Sequence, residues 1–313
     1  MGLFDFFRKR AVTSTASVNT PVGNYPWGNT EVPVNNDYVI AAFVSLSSGG
    51  KKIGKSNDDY PRYLNYRYGV CDPVNYHKKV IAAGYLCEAS PEIALSKLKM
   101  NELKTILLEA GLLDKGKKDV LISRVVENID LNSLNLDKYY IPSELGEKHL
   151  EKYSFVFSLP RYNISCEEFD EFKKSYPENY KPRDLIWRIL NSRLNESSLN
   201  HWYRPARNAL FNMGEFLEDE GKLTDALYRY VLVLYYDTYS IEDDLTDDEM
   251  ELAPGIVSRV CKLKAYYTPE IIDRCYTRYR LPDHRICKED FKKLLFDIFD
   301  EKEINIKKYM RKK

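Results

Sequence analysis

The sequence predicts a mostly α-helical protein, and three observations lead to that class. From about residue 60 onward, apolar residues recur at the three- and four-residue spacing of an amphipathic helix. Helix start and stop residues, with Pro and Gly as punctuation, bracket those stretches. Alternation of period two is confined to short runs. In chain order the 313 residues divide into a flexible N-terminal segment (1–58), a small helical domain (59–136), a connecting region with a candidate short strand (137–180) and a larger all-helical C-terminal domain (181–313).

Composition narrows the function classes. Forty-seven basic and 47 acidic residues give a formal net charge of zero, which excludes a globally basic nucleic-acid coat but leaves room for a local basic face. Cysteines at 71, 87, 166, 261, 275 and 287 form no C-x-x-C pair and read as reduced thiols of a cytoplasmic protein. No run of eighteen apolar residues occurs, so no integral membrane insertion is expected. The opening MGLFDFFRKR sets Leu3, Phe4, Phe6 and Phe7 beside Arg8, Lys9 and Arg10. It is a short tail that can graze a membrane surface or dock in a partner, but one such patch rarely anchors alone.

Residues 11–58 are dense in Ser, Thr, Asn, Gly, Val and Pro, and much of this stretch is expected to lack fixed structure. The exception is YVIAAFVSL, Tyr38 to Leu46, apolar enough for a strand or for a segment docked on a partner. Val74, His77, Val80, Ile81 and Gly84 have helical spacing, with the helix ending near Gly84. Ser90 followed by Pro91 is a start signal. Met100, Leu103, Ile106, Leu107 and Ala110 share one helical face, and Gly111 stands where a terminating glycine belongs. Leu121, Ile122, Val125, Val126 and Ile129 line a second face. Further on, YSFVFSL (154–159 with Tyr153) is the best strand candidate, and Ser165 with Glu168 makes a capping box. Beyond Lys181 the chain reads as successive helices separated by Pro205, Gly221, Pro254, Pro269 and Pro282, ending in a frayed basic KKYMRKK.

GLLDKGKK, Gly111 to Lys118, nearly spells the phosphate-binding loop G-x-x-x-x-G-K-[ST]. That loop follows a strand and needs a hydroxyl after its lysine to hold magnesium. Here a helix precedes it, and Lys118 stands where the hydroxyl belongs. Two short helices joined by a glycine-bearing turn account for the residues better. Leu98 and Met100 enter the first helix, Leu103-Lys104 lie within it, Gly111-Leu112 end it, and Gly116, Lys118, Leu121, Ile122 and Arg124 follow G-x-K-x-x-L-[IV]-x-R. On these positions Leu95–Ile129 resembles a SAP domain, a helix–extended–helix nucleic-acid-binding motif, over about 35 of the 313 residues. The upstream DYPRYLNYRYGVC, Asp59 to Cys71, is similar to lead-ins found ahead of SAP motifs in proteins of low-GC Gram-positive bacteria and their phages.

The resemblance implies double-stranded DNA as ligand. From the residues themselves, Leu103, Ile106, Leu107, Leu121, Ile122 and Val125 should form a shared core, enlarged by the upstream helices at 75–84 and 91–98. Gly111 and Gly116 should relieve the backbone at the two helix ends. The candidate contacts are Lys97, Lys99, Lys104, Lys115, Gly116, Lys117, Lys118 and Arg124, with Lys115, Lys117 and Lys118 surrounding a helix N-terminus that itself favours phosphate. The segment carries seven basic and five acidic residues, so clustering matters more than net charge. Such contacts position a protein on the backbone and carry little sequence information. Three to five of them give weak affinity, roughly 10⁻⁴ to 10⁻⁶ M at physiological salt. The same lysines could instead be the solvated face of an ordinary hairpin. Tyr60, Tyr63, Tyr66 and Tyr68 interleave with Arg62 and Arg67 and could stack on bases, though packing of Tyr63 and Tyr66 on the next helices is the simpler expectation.

Arg207–Ser240 resembles a single tetratricopeptide-type helix pair, with Gly214, Leu217, Gly221, Leu223, Ala226 and Tyr230 at its small and large positions and no second copy. ALYRYVLVLYY is apolar nearly all round and marks a buried helix. This half is the expected arm for a protein partner. Chemistry finds less support. Cys261, Cys275, His284 and Cys287 lack the paired spacing of a zinc site, and EDDLTDDEME lacks the glycine of a calcium loop. No residues group as a catalytic set, and no cofactor or metal is implied. The expectation is a non-enzymatic DNA-binding protein; the alternative is a protein-interaction scaffold in which the hairpin is structural.

Overall fold

A computed structural model describes residues 36–239, 252–278, 281 and 286–310. The N-terminal MGLFDFFRKR, the acidic EDDLTDDEME, His284 and the last three residues lie outside them. Fourteen α-helices and a two-stranded sheet make up the described residues, the mostly-α class that the periodicity predicts. They fall into two compact units, one of residues 36–43 and 49–141, the other of 44–48 and 142–310.

The first unit begins earlier than composition suggests. Helix α1, Asp37–Ser47, contains the YVIAAFVSL run. The Asn36 side chain accepts hydrogen bonds from the amides of Tyr38 (3.0 Å) and Val39 (3.3 Å), an N-cap that starts a helix where β-branched residues favour a strand. Tyr38 to Val44 are all buried, so the run is an internal core helix. Residues 36–58 are accordingly structured. After α2 (Tyr63–Tyr68) and α3 (Pro73–Ala82), Tyr76 stacks on Phe43 at 5.1 Å between ring centroids. The helix at 75–84 therefore packs on α1, where sequence placed it against the hairpin core. Tyr66 is 50% exposed and stays on the surface beside Arg67, contrary to the packing expected of it. Strand β1 (Leu86–Glu88) pairs with β2 (Tyr140–Pro142), and Lys51 bridges antiparallel to Tyr140.

Helices α4 (Pro91–Lys97), α5 (Met100–Glu109) and α6 (Lys118–Asn128) follow. Their shared core is Leu95, Leu103, Leu107, Leu121 and Val125, all fully buried, with Ile106, Leu112 and Ile122 partly buried around it. Both residues predicted to carry the turns do so. Gly111 has φ +70°; its amide bonds Leu108 O (3.0 Å) while Leu112 N bonds Leu107 O (2.8 Å), the paired bonds of a glycine-terminated helix. Gly116 has φ +142°, and a methyl there would stand 3.2 Å from Val120 Cγ1.

The second unit starts with α7 (Glu144–Tyr153). The YSFVFSL stretch then forms two 3₁₀ turns, Ser154–Phe157 and Leu159–Tyr162, instead of a strand. Val156, Leu159 and Tyr162 are buried, a spacing of three that puts them on one side of a 3₁₀ path. Helix α8 (Cys166–Lys173) opens on Ser165, whose Oγ accepts the Glu168 amide at 3.1 Å. Glu168's own carboxylate turns to the Arg193 guanidinium. Helices α9 (Pro182–Leu199), α10 (Tyr203–Asp219) and α11 (Leu223–Asp237) come next. α10 and α11 form the broadest pairing among the described helices. A methyl on Gly214 would lie 2.5 Å from Tyr230 Cε1, so the small residue lets the two helices close. α11 is buried on every side, as its sequence predicts. Helices α12 (Pro254–Lys262), α13 (Glu270–Arg278) and α14 (Lys288–Phe299) complete the unit. The basic C-terminus is tied down as far as Tyr309, which is buried and donates its hydroxyl to Asp297 at 2.6 Å.

Candidate nucleic-acid interface

The hairpin of α5 and α6 positions the candidate basic residues, and their backbone setting explains where each one goes. α6 starts at Lys118 with Lys117 as its cap; Lys117 is extended (φ −71°, ψ 160°) and its side chain closes no amide of the first turn. An uncapped helix start presents N–H groups and partial positive charge to an acceptor. Asp119, in the same turn, offsets part of that field. Lys115, Gly116 and Lys117 are exposed in the loop just before. Lys97 and Lys99 are exposed and Lys104 is half-buried on α5. The stem of Lys97 runs past Gly50, its Cε 3.7 Å from where a methyl on that glycine would be. Lys99 caps α5, its amide donating to Glu102 Oε2 at 2.5 Å.

Two of the candidates are engaged inside the fold. Lys118 Nζ donates to the carbonyl of Ser96 at 2.6 Å, tying the start of α6 to the last turn of α4. Arg124 reaches back along α6, and one of its terminal nitrogens donates to the carbonyls of both Leu113 and Lys115. That pair of hydrogen bonds ties the loop to α6. The structure thus gathers Lys115, Gly116 and Lys117 at an open helix end, with Lys118 and Arg124 holding the end in shape. Nothing in the sequence pattern separates the five by role, because a lysine that caps a carbonyl and one that faces solvent look alike.

Sequence reasoning also passed over the apolar side of this tip. Ten large apolar side chains are exposed among the described residues, and four of them, Leu108, Leu113, Val120 and Val126, fall within Leu95–Ile129. Leu108 and Leu113 are each 60% exposed. The paired leucines 112 and 113 were a signal: one enters the core and its neighbour must then face out.

Elsewhere several charged groups are matched internally. In the second unit, Glu215 of α10 is buried between Arg259 (2.6 Å) and Arg161 (3.6 Å), and Arg161 also meets Asp219 at 2.7 Å. A cleft of about 250 Å³ has Trp187 stacked on Phe216 at its floor, and Arg274 lies 3.9 Å over the Tyr228 ring. Among the described residues no three potential ligands gather as a metal site. Cys287 caps α14, Cys275 is fully buried, and burial pushes the Cys166 thiol up to about 12. All six cysteines are free thiols. No helix among the described residues is long and apolar enough to cross a membrane. No family model, curated protein or solved structure matches the chain.

Proposed function

We propose that this protein binds double-stranded DNA through the α5–α6 hairpin, weakly and by its phosphate backbone, without chemistry of its own. The observation that carries the reading is the cluster of exposed Lys115 and Lys117 at the uncapped start of α6, on a loop pinned by Arg124. Its likeness to a SAP motif supports the same reading. Backbone amides and a helix dipole favour a phosphate at that point, and two exposed lysines lie beside it in the chain. Lys97, Lys99 and Lys104 would extend the contact along α4 and α5. A single module of this strength calls for avidity, which a protein partner on the second unit would supply. Leu199, 81% exposed, and Trp202, 51% exposed, fall three residues apart at the α9–α10 junction and support that assignment. Six free thiols fit a reducing cytoplasmic setting.

A second reading has its own support. Lys118 and Arg124 spend their hydrogen bonds on carbonyls of this chain, as they would in a purely structural hairpin of a protein-interaction scaffold. Titrating the full chain into a labelled duplex at several salt concentrations separates the two. Lys115→Ala/Lys117→Ala should weaken binding and lower the slope of log K against log salt by about 2. Unchanged affinity and slope would remove the DNA assignment from this face and leave the scaffold.

A further inference from the structure

The exposed leucine at the hairpin tip is held out rather than left out. Leu112 turns into the core, bonding its amide to Leu107 O, and Leu113 follows on the outside, 60% exposed. Arg124 bonds the carbonyls of both Leu113 and Lys115, which ties the leucine's stretch of the loop to α6. Val120, 48% exposed, meets the same loop at Gly116. Between Leu113 and Val120 the chain carries the exposed Lys115 and Lys117, with Asp114 next to the leucine and Asp119 next to the valine. A lone surface leucine needs no explanation. An exposed leucine on a loop tied by Arg124, with exposed lysines two and four residues on and an exposed valine packed on the same loop at Gly116, matches the chemistry of an apolar wedge carried to DNA by cations, in which insertion at a base step offsets unstacking with added contact.

We propose that Leu113 is such a wedge, so that the hairpin prefers duplexes containing an already weakened step. The inference rests on the DNA-binding reading above and adds a substrate class to it. Lysines alone would not discriminate between a perfect and a weakened duplex of equal charge. Insertion does discriminate, because a mismatched or bulged step has less stacking to lose.

The test uses the full chain and two labelled duplexes of equal length, one perfect and one with a central single-base bulge. Wild type should bind the bulged duplex about tenfold tighter, a difference consistent with part of an unstacking cost saved. Leu113→Ala should bring that ratio to about one with the salt slope unchanged, and Leu113→Met should restore it. Lys115→Ala/Lys117→Ala should weaken both duplexes alike. Helix content and melting of Leu113→Ala should match wild type, since the side chain is mostly exposed. A wild-type ratio near one, or a Leu113→Ala ratio equal to wild type, overturns the wedge while leaving backbone binding intact. No binding to either duplex overturns the DNA reading and the wedge with it. If Leu113→Ala instead dissolves a dimer seen by sedimentation without changing the ratio, the tip is a self-association surface and the wedge is wrong.

Discussion

At the residue scale, one buried titratable group sets a pH dependence. His77 is fully enclosed; its Nδ1 meets the Tyr60 hydroxyl at 2.8 Å, and that hydroxyl accepts the Gly54 amide at 2.9 Å. Burial, with Lys51 nearby, pulls the imidazole down to about 4. A depressed histidine contributes stability above its unfolded value near 6.5, and that contribution is lost as pH falls from about 6.5 toward 4, because the unfolded chain takes up the proton first. Between pH 7 and pH 5 the loss from this one group should be about 2 kcal/mol at most. Hydrogen exchange of the α1 and α3 amides, measured at both pH values, reads it, and His77→Phe should flatten the difference. Two basic residues carry a related lesson. Arg124→Ala should loosen the loop and destabilise the hairpin by about 1–2 kcal/mol, since one terminal nitrogen serves two carbonyls that lose their donor together, and Arg124→Lys, whose ammonium also carries several donors, should recover part of the loss. Equal melting of wild type and Arg124→Ala would refute that role.

At the scale of elements, close packing decides what can change. Tyr230 leaves no room for a methyl on Gly214, so Gly214→Ala must push α10 from α11 or displace a buried ring. Gly214→Ala should destabilise the second unit by about 1–3 kcal/mol, visible as a lowered denaturant midpoint with unchanged slope. The neighbouring ion network responds differently. Burial raises the Glu215 carboxyl above its ordinary range while Arg259 and Arg161 oppose that shift. Arg259→Ala should remove about 3 kcal/mol, Arg161 retaining part of the compensation, and the double variant Arg259→Met/Glu215→Met should recover much of it. Recovery failing in the double variant would mean that packing, not the stranded charge, dominates the loss. These elements were unevenly legible. The α5–α6 core could be read because its apolar spacing matches one face of each helix. The α1 helix was missed because Val39, Ile40 and Val44 carry strand propensity, while the deciding signal was a single cap, Asn36. YSFVFSL was missed because its alternation of Phe155 and Phe157 hid a burial pattern of three.

At the scale of the whole molecule, the first unit is longer than its sequence pattern. Residues 59–136 contain the hairpin but lack Phe43, which stacks on Tyr76, and the strand at Tyr140 that pairs with β1. A fragment of residues 36–141 should melt cooperatively, and one of residues 59–136 should not, as followed by circular dichroism at 222 nm. Cooperative melting of the shorter fragment would show the hairpin core to be sufficient. The sequence by itself determined the helical class, the α5–α6 core, the turns at Gly111 and Gly116 and the buried α11. Each depends on periodicity or capping within about ten residues, where chain geometry fixes which side chains meet. Tertiary structure alone decided that α1 is core, and that Lys118 and Arg124 hold the basic tip while Lys115 and Lys117 stay exposed. Lys118 finds its carbonyl 22 residues away at Ser96, and Arg124 finds one 11 residues back at Leu113. Pairings across such distances exist only once the helices have packed.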